Sequence, residues 1–140
     1  MSTLNIKTST RARAYGGSLT EDDHAVLHRL AGGGEAFSER YQQLLAAKLR
    51  SCIVYPAGGI PEDVVRLNTC FTYAIDGNLK EASILVRHPP ADLPPFALSL
   101  HTMRGLALLG LSEGECVELG AAGGASETIE LVRILRQPRD

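Results

Sequence analysis

The chain has 140 residues, 44% hydrophobic and 21% charged, with a formal net charge of −2. That is enough for one domain with one modest core, and too apolar for wholesale disorder. The longest runs without Asp, Glu, Lys or Arg are 11 residues, over 51–61 and 93–103, about half of what a membrane-spanning helix needs. The first 13 residues are polar, end in Arg11 and Arg13 and lack an apolar stretch, so no secretory signal is expected. Eleven Arg and three Lys are scattered among 16 acids. No basic stripe marks a nucleic-acid surface, and direct DNA binding is not expected. Trp is absent and aromatics are 5%, so stacking platforms for bases are scarce. Cys52, Cys70 and Cys116 are widely spaced with no CxxC pair. This argues against a disulfide framework or zinc knuckle and fits a reducing cytoplasm.

Residues 1–18 are rich in Ser, Thr, Gly and Arg without periodicity and read as a flexible tail, in which Leu4 and Ile6 can form a short edge strand. Thr20 followed by Glu21, Asp22 and Asp23 starts a helix: the hydroxyl caps free N–H groups and the acids complement the positive helix end. Val26, Leu27 and Leu30 form one stripe, and Gly32-Gly33-Gly34 stops it. A second helix is predicted over 35–50, about 24 Å long. There Phe37, Tyr41, Leu44, Leu45 and Lys48/Leu49 share one face. Together these helices predict an antiparallel helical hairpin over 19–50. Neither helix can bury its stripe alone, so the pair must zip together or dock.

Cys52-Ile53-Val54-Tyr55 is strand-like and ends at Pro56 and Gly58-Gly59. Pro61-Glu62-Asp63-Val64-Val65 reads as one helical turn. Phe71, Tyr73 and Ile75 alternate up to Asp76-Gly77, and Ala82, Ile84 and Val86 alternate again, predicting a strand hairpin. Four prolines make 89–95 a loop. A short strand over 96–101 leads to Thr102, which caps a helix over 103–109 closed by Gly110. Strands over 116–119 and 128–135 flank a glycine-rich connection. The last strand changes its apolar face near Leu131-Val132, which indicates a bulge or two-sided burial. The fold class is α+β, with a helical hairpin ahead of an antiparallel sheet with one short helix.

The search for catalytic chemistry is negative. His24 and His28 have the i, i+4 spacing of a zinc pair, but the metalloprotease Glu and a third ligand are missing; they read as solvated helix residues. His88 and His101 read as loop or capping residues. No GxSxG elbow surrounds any serine. The glycine runs lack the Lys-Ser/Thr of a phosphate loop. Cys70 and Cys116 read as small core residues. Asp22 and Asp23 could pair on Mg²⁺, but their place in a first helical turn favours dipole complementation. No cofactor, metal or catalytic residue is expected. The residues point to a binding module with a protruding helical pair.

One set of segments goes further. Ile60-Pro61-Glu62-Asp63-Val64-Val65-Arg66-Leu67-Asn68, then Leu108-Leu109-Gly110-Leu111-Ser112-Glu113-Gly114-Glu115, then Gly123-Gly124 and Gln137-Pro138 occur in order. Over about 50–138 the chain resembles the regulator of nucleoside diphosphate kinase (Rnk) family. That family is related to the GreA/GreB transcription elongation factors, a likeness carried by Ala107-Leu108-Leu109-Gly110 and Gly114-Glu115. The resemblance implies an FKBP-like C-terminal domain over 51–140, an N-terminal coiled coil, and docking on bacterial RNA polymerase at the secondary-channel rim. In Gre factors, acidic residues at the coiled-coil tip hold a catalytic Mg²⁺ for transcript cleavage.

Here the tip, Gly33, Gly34 and Glu35, offers one carboxylate, and Glu21, Asp22 and Asp23 lie at the other end of the first helix. The hairpin is also several-fold shorter than the Gre coiled coil. The resemblance therefore implies occupancy of the polymerase site without cleavage. Its polymerase-facing segment corresponds to residues 98–104, giving Ser99, His101, Thr102, Met103 and Arg104 as partner-contact candidates. Met103 stands where the family usually has Pro, and Arg104 where it has an aliphatic residue. The plainer reading makes Leu98 and Leu100 core and Thr102 a helix cap. Because no kinase motif is present, the family's link to nucleoside diphosphate kinase reads as regulatory. Two other readings are an FKBP-like peptidyl-prolyl isomerase, against which the missing Trp counts, and a structural oligomer built on a four-helix bundle.

Overall fold

Two short strands come first, β1 (Lys7–Thr8) and β2 (Ser18–Thr20), in a computed structural model that describes residues 7–8, 17–34, 36–120 and 125–138. Leu4 and Ile6 lie outside the described residues. Thr20 then caps helix α1 (Glu21–Gly32): its hydroxyl accepts the Asp23 N–H at 3.0 Å. The three acids occupy the first turn, Arg29 the last, and Gly33 is the C-cap. Helix α2 (Glu39–Ser51) starts four residues later than the periodicity predicts. The cause is Ser38, whose hydroxyl accepts the Tyr41 N–H at 3.1 Å and fixes a helix start there. Phe37 lies ahead of the helix and stacks on Tyr41, ring centroids 4.2 Å apart. With 13 residues, α2 is about 20 Å long.

The chain leaves α2 into β3 (Ile53–Tyr55), which pairs parallel with β2, Leu19 opposite Val54. This small sheet ties together the two ends of the helical pair. The helical turn expected over 61–65 is absent. Val64 instead bridges Ser112, and Val65 exchanges backbone hydrogen bonds with Leu111 and Gly110, both 2.9 Å. Extended pairing satisfies these buried groups where one isolated turn would not.

The large sheet contains β4 (Cys70–Ile75), β5 (Asn78–Leu79), β6 (Ser83–Val86) and β7 (Ala97–Ser99). Helix α3 (Met103–Leu108) follows, then β8 (Cys116–Gly120) and β9 (Ser126–Arg136). Among the described residues the strand order is β1-β8-β9-β4-β6-β7, with β5 also on β4. Asp76-Gly77 makes the expected turn, with φ of 51° and 82°, the left-handed pair that a tight strand hairpin requires. The sheet is mixed, not antiparallel as expected: β6 and β7 run parallel, Leu85 opposite Leu98. The proline-rich connection over 87–96 carries the chain back before β7 begins.

Strand β9 settles the change of face near Leu131-Val132. Tyr73 faces Leu131, Thr72 faces Arg133, Phe71 faces Ile134 and Cys70 faces Arg136. The register skips Val132 and Leu135, so two bulges turn those residues outward, 39% and 50% exposed. Leu131 and Ile134 stay on the core side.

Helices and sheet share one core. Val26, Leu27, Leu44 and Leu45 join Phe71, Leu85, Leu100, Leu106, Ile129 and Leu131 in a single cluster. The helical pair therefore both zips together and docks on the α3 side of the sheet; it is not a free-standing protrusion. Cys70 and Cys116 are half-buried on the sheet, not core. No helix among the described residues is long and apolar enough to cross a membrane.

Candidate protein-interaction site

The 98–104 segment is organised by hydrogen bonds that begin at Ser99. Ser99 is 2% exposed. Its hydroxyl donates to the His88 carbonyl and accepts the His101 N–H at 3.0 Å. Its carbonyl accepts the Thr102 hydroxyl at 2.7 Å, and that hydroxyl accepts the Gly105 N–H at 3.0 Å, capping α3. Ser99 therefore shapes the segment from below and can reach a partner only through the backbone it positions. The plainer expectation holds for Leu100, which is buried, and for Thr102 as cap; Leu98 packs half-buried against the core.

The remaining candidates form the outer surface. His101 is half-exposed, its ring edge-on to Phe37 with centroids 5.3 Å apart. Met103 packs partly on the core. Arg104 makes a two-pronged pair with Glu127, 2.8 and 3.0 Å. That pair raises the pKa of Arg104 and holds the Glu127 carboxyl below its ordinary value.

The start of α2 is brought to the same place. The Tyr41 hydroxyl donates to the Leu100 carbonyl at 2.7 Å, Phe37 touches His101, and Arg40 donates to the Gly120 carbonyl. Gly33 and Gly34 are exposed at the turn between the helices. Glu35 lies outside the described residues, as do Gly123 and Gly124.

Two buried charged residues join the helices to the segments beside the sheet: Lys48, which the sequence places on the buried face of the second helix, and Asp23, which it reads only as a first-turn acid. Asp23 is 7% exposed and accepts the Leu67 N–H at 3.1 Å. Burial raises its pKa, opposed by that hydrogen bond and by Arg66. Lys48 is 1% exposed, and burial lowers its pKa to about 8, opposed by the nearby Cys52 and buried Glu115. Glu115 accepts the Ser112 N–H at 2.7 Å. The signal for Lys48 was its place on the apolar stripe of α2; nothing local marked Asp23 as more than a first-turn acid.

His24 and His28 stack edge-on with centroids 5.0 Å apart. Among the described residues no group of three or more His, Cys, Asp or Glu is placed to hold a metal. The arrangement offers a pinned surface segment beside a short helical pair.

No family model and no curated protein matches the chain. Among solved structures, the fold is similar to that of the prokaryotic transcription elongation factor GreA/GreB from Nitrosomonas europaea. The match has 23% identity and a TM-score of 0.64, over 85% of this chain and 97% of that one. Gfh1 from Thermus aquaticus matches at 15% identity and TM-score 0.40, over 88% of this chain and 100% of that one. The GreA factor homolog 1 (Gfh1) protein of Thermus thermophilus matches at 15% and 0.35, over 86% and 99%. The first likeness places the chain in the fold of that elongation factor.

Proposed function

We propose that the protein is an RNA-polymerase-binding transcription regulator of the Rnk type, which occupies the secondary-channel rim without stimulating transcript cleavage. The observation that carries this reading is the fold shared with almost the whole of a GreA/GreB elongation factor. The ordered Rnk-like segments over about 50–138 support it.

In this reading residues 51–140 form an FKBP-like docking domain and 19–50 a short antiparallel coiled coil; the stretch ahead of them, expected as a flexible tail, pairs with the sheets at Lys7–Thr8 and at the buried Ser18. His101, Thr102, Met103 and Arg104 contact the polymerase, on a backbone set by Ser99. Met and Arg are residue types enriched at interfaces, and the Glu127 pair holds the Arg104 guanidinium in place beforehand, which lowers the ordering cost of binding. Gly33, Gly34 and Glu35 face the channel mouth. In this reading one tip carboxylate is too few to recruit Mg²⁺ as an acidic pair does, so the protein acts as a regulator and not as an enzyme, and a cytoplasmic location goes with the polymerase partner.

The test is binding of the purified protein to its cognate core RNA polymerase in competition with a Gre factor. Mutual exclusion with no added transcript cleavage is the expected result. Absence of binding at tens of micromolar, or simultaneous binding with the Gre factor, overturns the proposal.

A further inference from the structure

We propose that the cleft between α1 and the β6–β7 connection is a binding site for a phosphate-bearing small molecule. The cleft has a volume of about 500 Å³, within the ~300–1,000 Å³ usual for small-ligand sites. Arg29 from α1, Arg87 and His88 from the connection, and His101 ahead of α3 supply its polar lining. Val26, Leu30 and Pro89 complete the wall, and no carboxylate lines it. Four nitrogen-bearing side chains from three separate chain segments thus converge on one concavity.

The site is built rather than incidental. The buried Ser99 hydroxyl holds the backbone of both histidines, donating to His88 and accepting from His101. Leu100 adds a hydrogen bond to Val86 at 2.7 Å, which pins the strand pair beneath the cleft. Phe37 packs edge-on against the His101 ring. Arg29 and Arg87 are exposed, and neither takes part in an ion pair among the described residues.

A plainer role exists for Arg29, which complements the negative end of α1. It does not extend to Arg87 or His88, which lie on no helix. Arg87 also borders the neighbouring cleft where Glu21, Asp22 and Asp23 lie. Arg87 makes no ion pair with any of these acids among the described residues. Two guanidinium forks match phosphate oxygens bidentately. The inference does not rest on the polymerase reading and is tested on the free protein.

The experiment is calorimetric titration of the full chain at fixed ionic strength, with inorganic pyrophosphate in one arm and ADP in the other. One saturable site is expected, weakened about tenfold or more by Arg87→Ser and by Arg29→Ser. The melting curve of Arg87→Ser should match wild type, since that side chain is exposed and lies on no helix, while Arg29→Ser should melt slightly lower for loss of its place in the last turn of α1. Tighter binding of ADP would show that the nucleoside is held as well; equal binding would assign the site to the phosphates alone. In a parallel NMR titration, pyrophosphate should shift the ring protons of His88 and His101 and leave those of His24 and His28 in place. No saturable binding at low-millimolar ligand in either arm overturns the proposal. So does binding that both Arg variants leave unchanged, or shifts spread evenly over the four histidines.

Discussion

Gly105 is pressed against the Ser99 carbonyl: a β-carbon built on it would lie 2.0 Å from that oxygen and 3.1 Å from the Thr102 hydroxyl. Helix α3 is thereby held against the end of β7, and the 98–104 segment turns between them. In an unhindered helix interior, Gly→Ala gains about 1 kcal/mol. Here the obstacle is a backbone oxygen that cannot swing aside. Gly105→Ala should therefore lose stability overall, on the order of 1–3 kcal/mol by analogy with overpacked cores. Urea unfolding reads this directly, and a stabilised variant would show that α3 is not seated as described.

Leu44 is 2% exposed in the core shared by helices and sheet. Leu44→Ala should cost about 2–5 kcal/mol. Because the core is common, the loss should appear as one lowered cooperative transition, followed equally by helical and by sheet signals. A separate early melting of helical signal would mean that the helical pair folds as its own unit.

What the sequence disclosed follows from how local each determinant is. Thr20 and Thr102 were legible as caps because a cap needs only its own hydroxyl and the next turn. Asp76-Gly77 was legible because its left-handed pair is a property of two residues. Ser38 was masked: Phe37 and Tyr41 keep helical spacing whether or not the helix has begun. The parallel β6–β7 pairing was hidden because strand direction depends on where a proline-rich connection returns the chain. Ser99 read as a surface contact since nothing in its neighbours announces burial. Its partner across the connection, the His88 carbonyl, meets it only once the connection has folded back. The cationic cleft was invisible for the same reason, its residues coming from three segments.

The Arg104–Glu127 pair is partly exposed, 41% and 31% of the two side chains. Solvent screens such a pair, so Glu127→Gln should change stability by less than about 1 kcal/mol. The sign with pH is fixed by Glu127, whose pKa is held below 4.5 by Arg104. The small contribution is present above that value and fades as pH falls through the lower folded value. The larger effect should be on partner binding, where a released Arg104 loses its preset geometry. Affinity for core polymerase should fall while the melting temperature holds.

Lys48 should leave a signature at alkaline pH. Burial lowers its pKa from 10.5 to about 8, so the folded chain holds this proton less tightly than the unfolded chain. Below pH 8 both states are protonated and the folded state bears the burial penalty in full. Between about pH 8 and 10.5 the unfolded state binds more protons, and stability contributed by this group rises with pH. Lys48→Met should remove that rise. The measurement is the urea midpoint of both proteins across this window, and parallel curves would refute the assignment.

Asp23 makes the opposite case on the acid side. Burial is the largest influence and raises its pKa above 3.8, against the Leu67 N–H and Arg66. From pH 3.8 up to the higher folded value, the folded state binds more protons than the unfolded one. Stability from this group therefore falls as pH rises through that window. Asp23→Asn keeps an oxygen for the Leu67 N–H and removes the charge. It should flatten the decline and leave stability at neutral pH equal to or above wild type. Asp23→Ala should cost about 1–3 kcal/mol, because the buried Leu67 N–H is left without an acceptor. If Asn proves as damaging as Ala, the carboxylate charge itself, drawn to Arg66, is what fastens the first helix to the sheet.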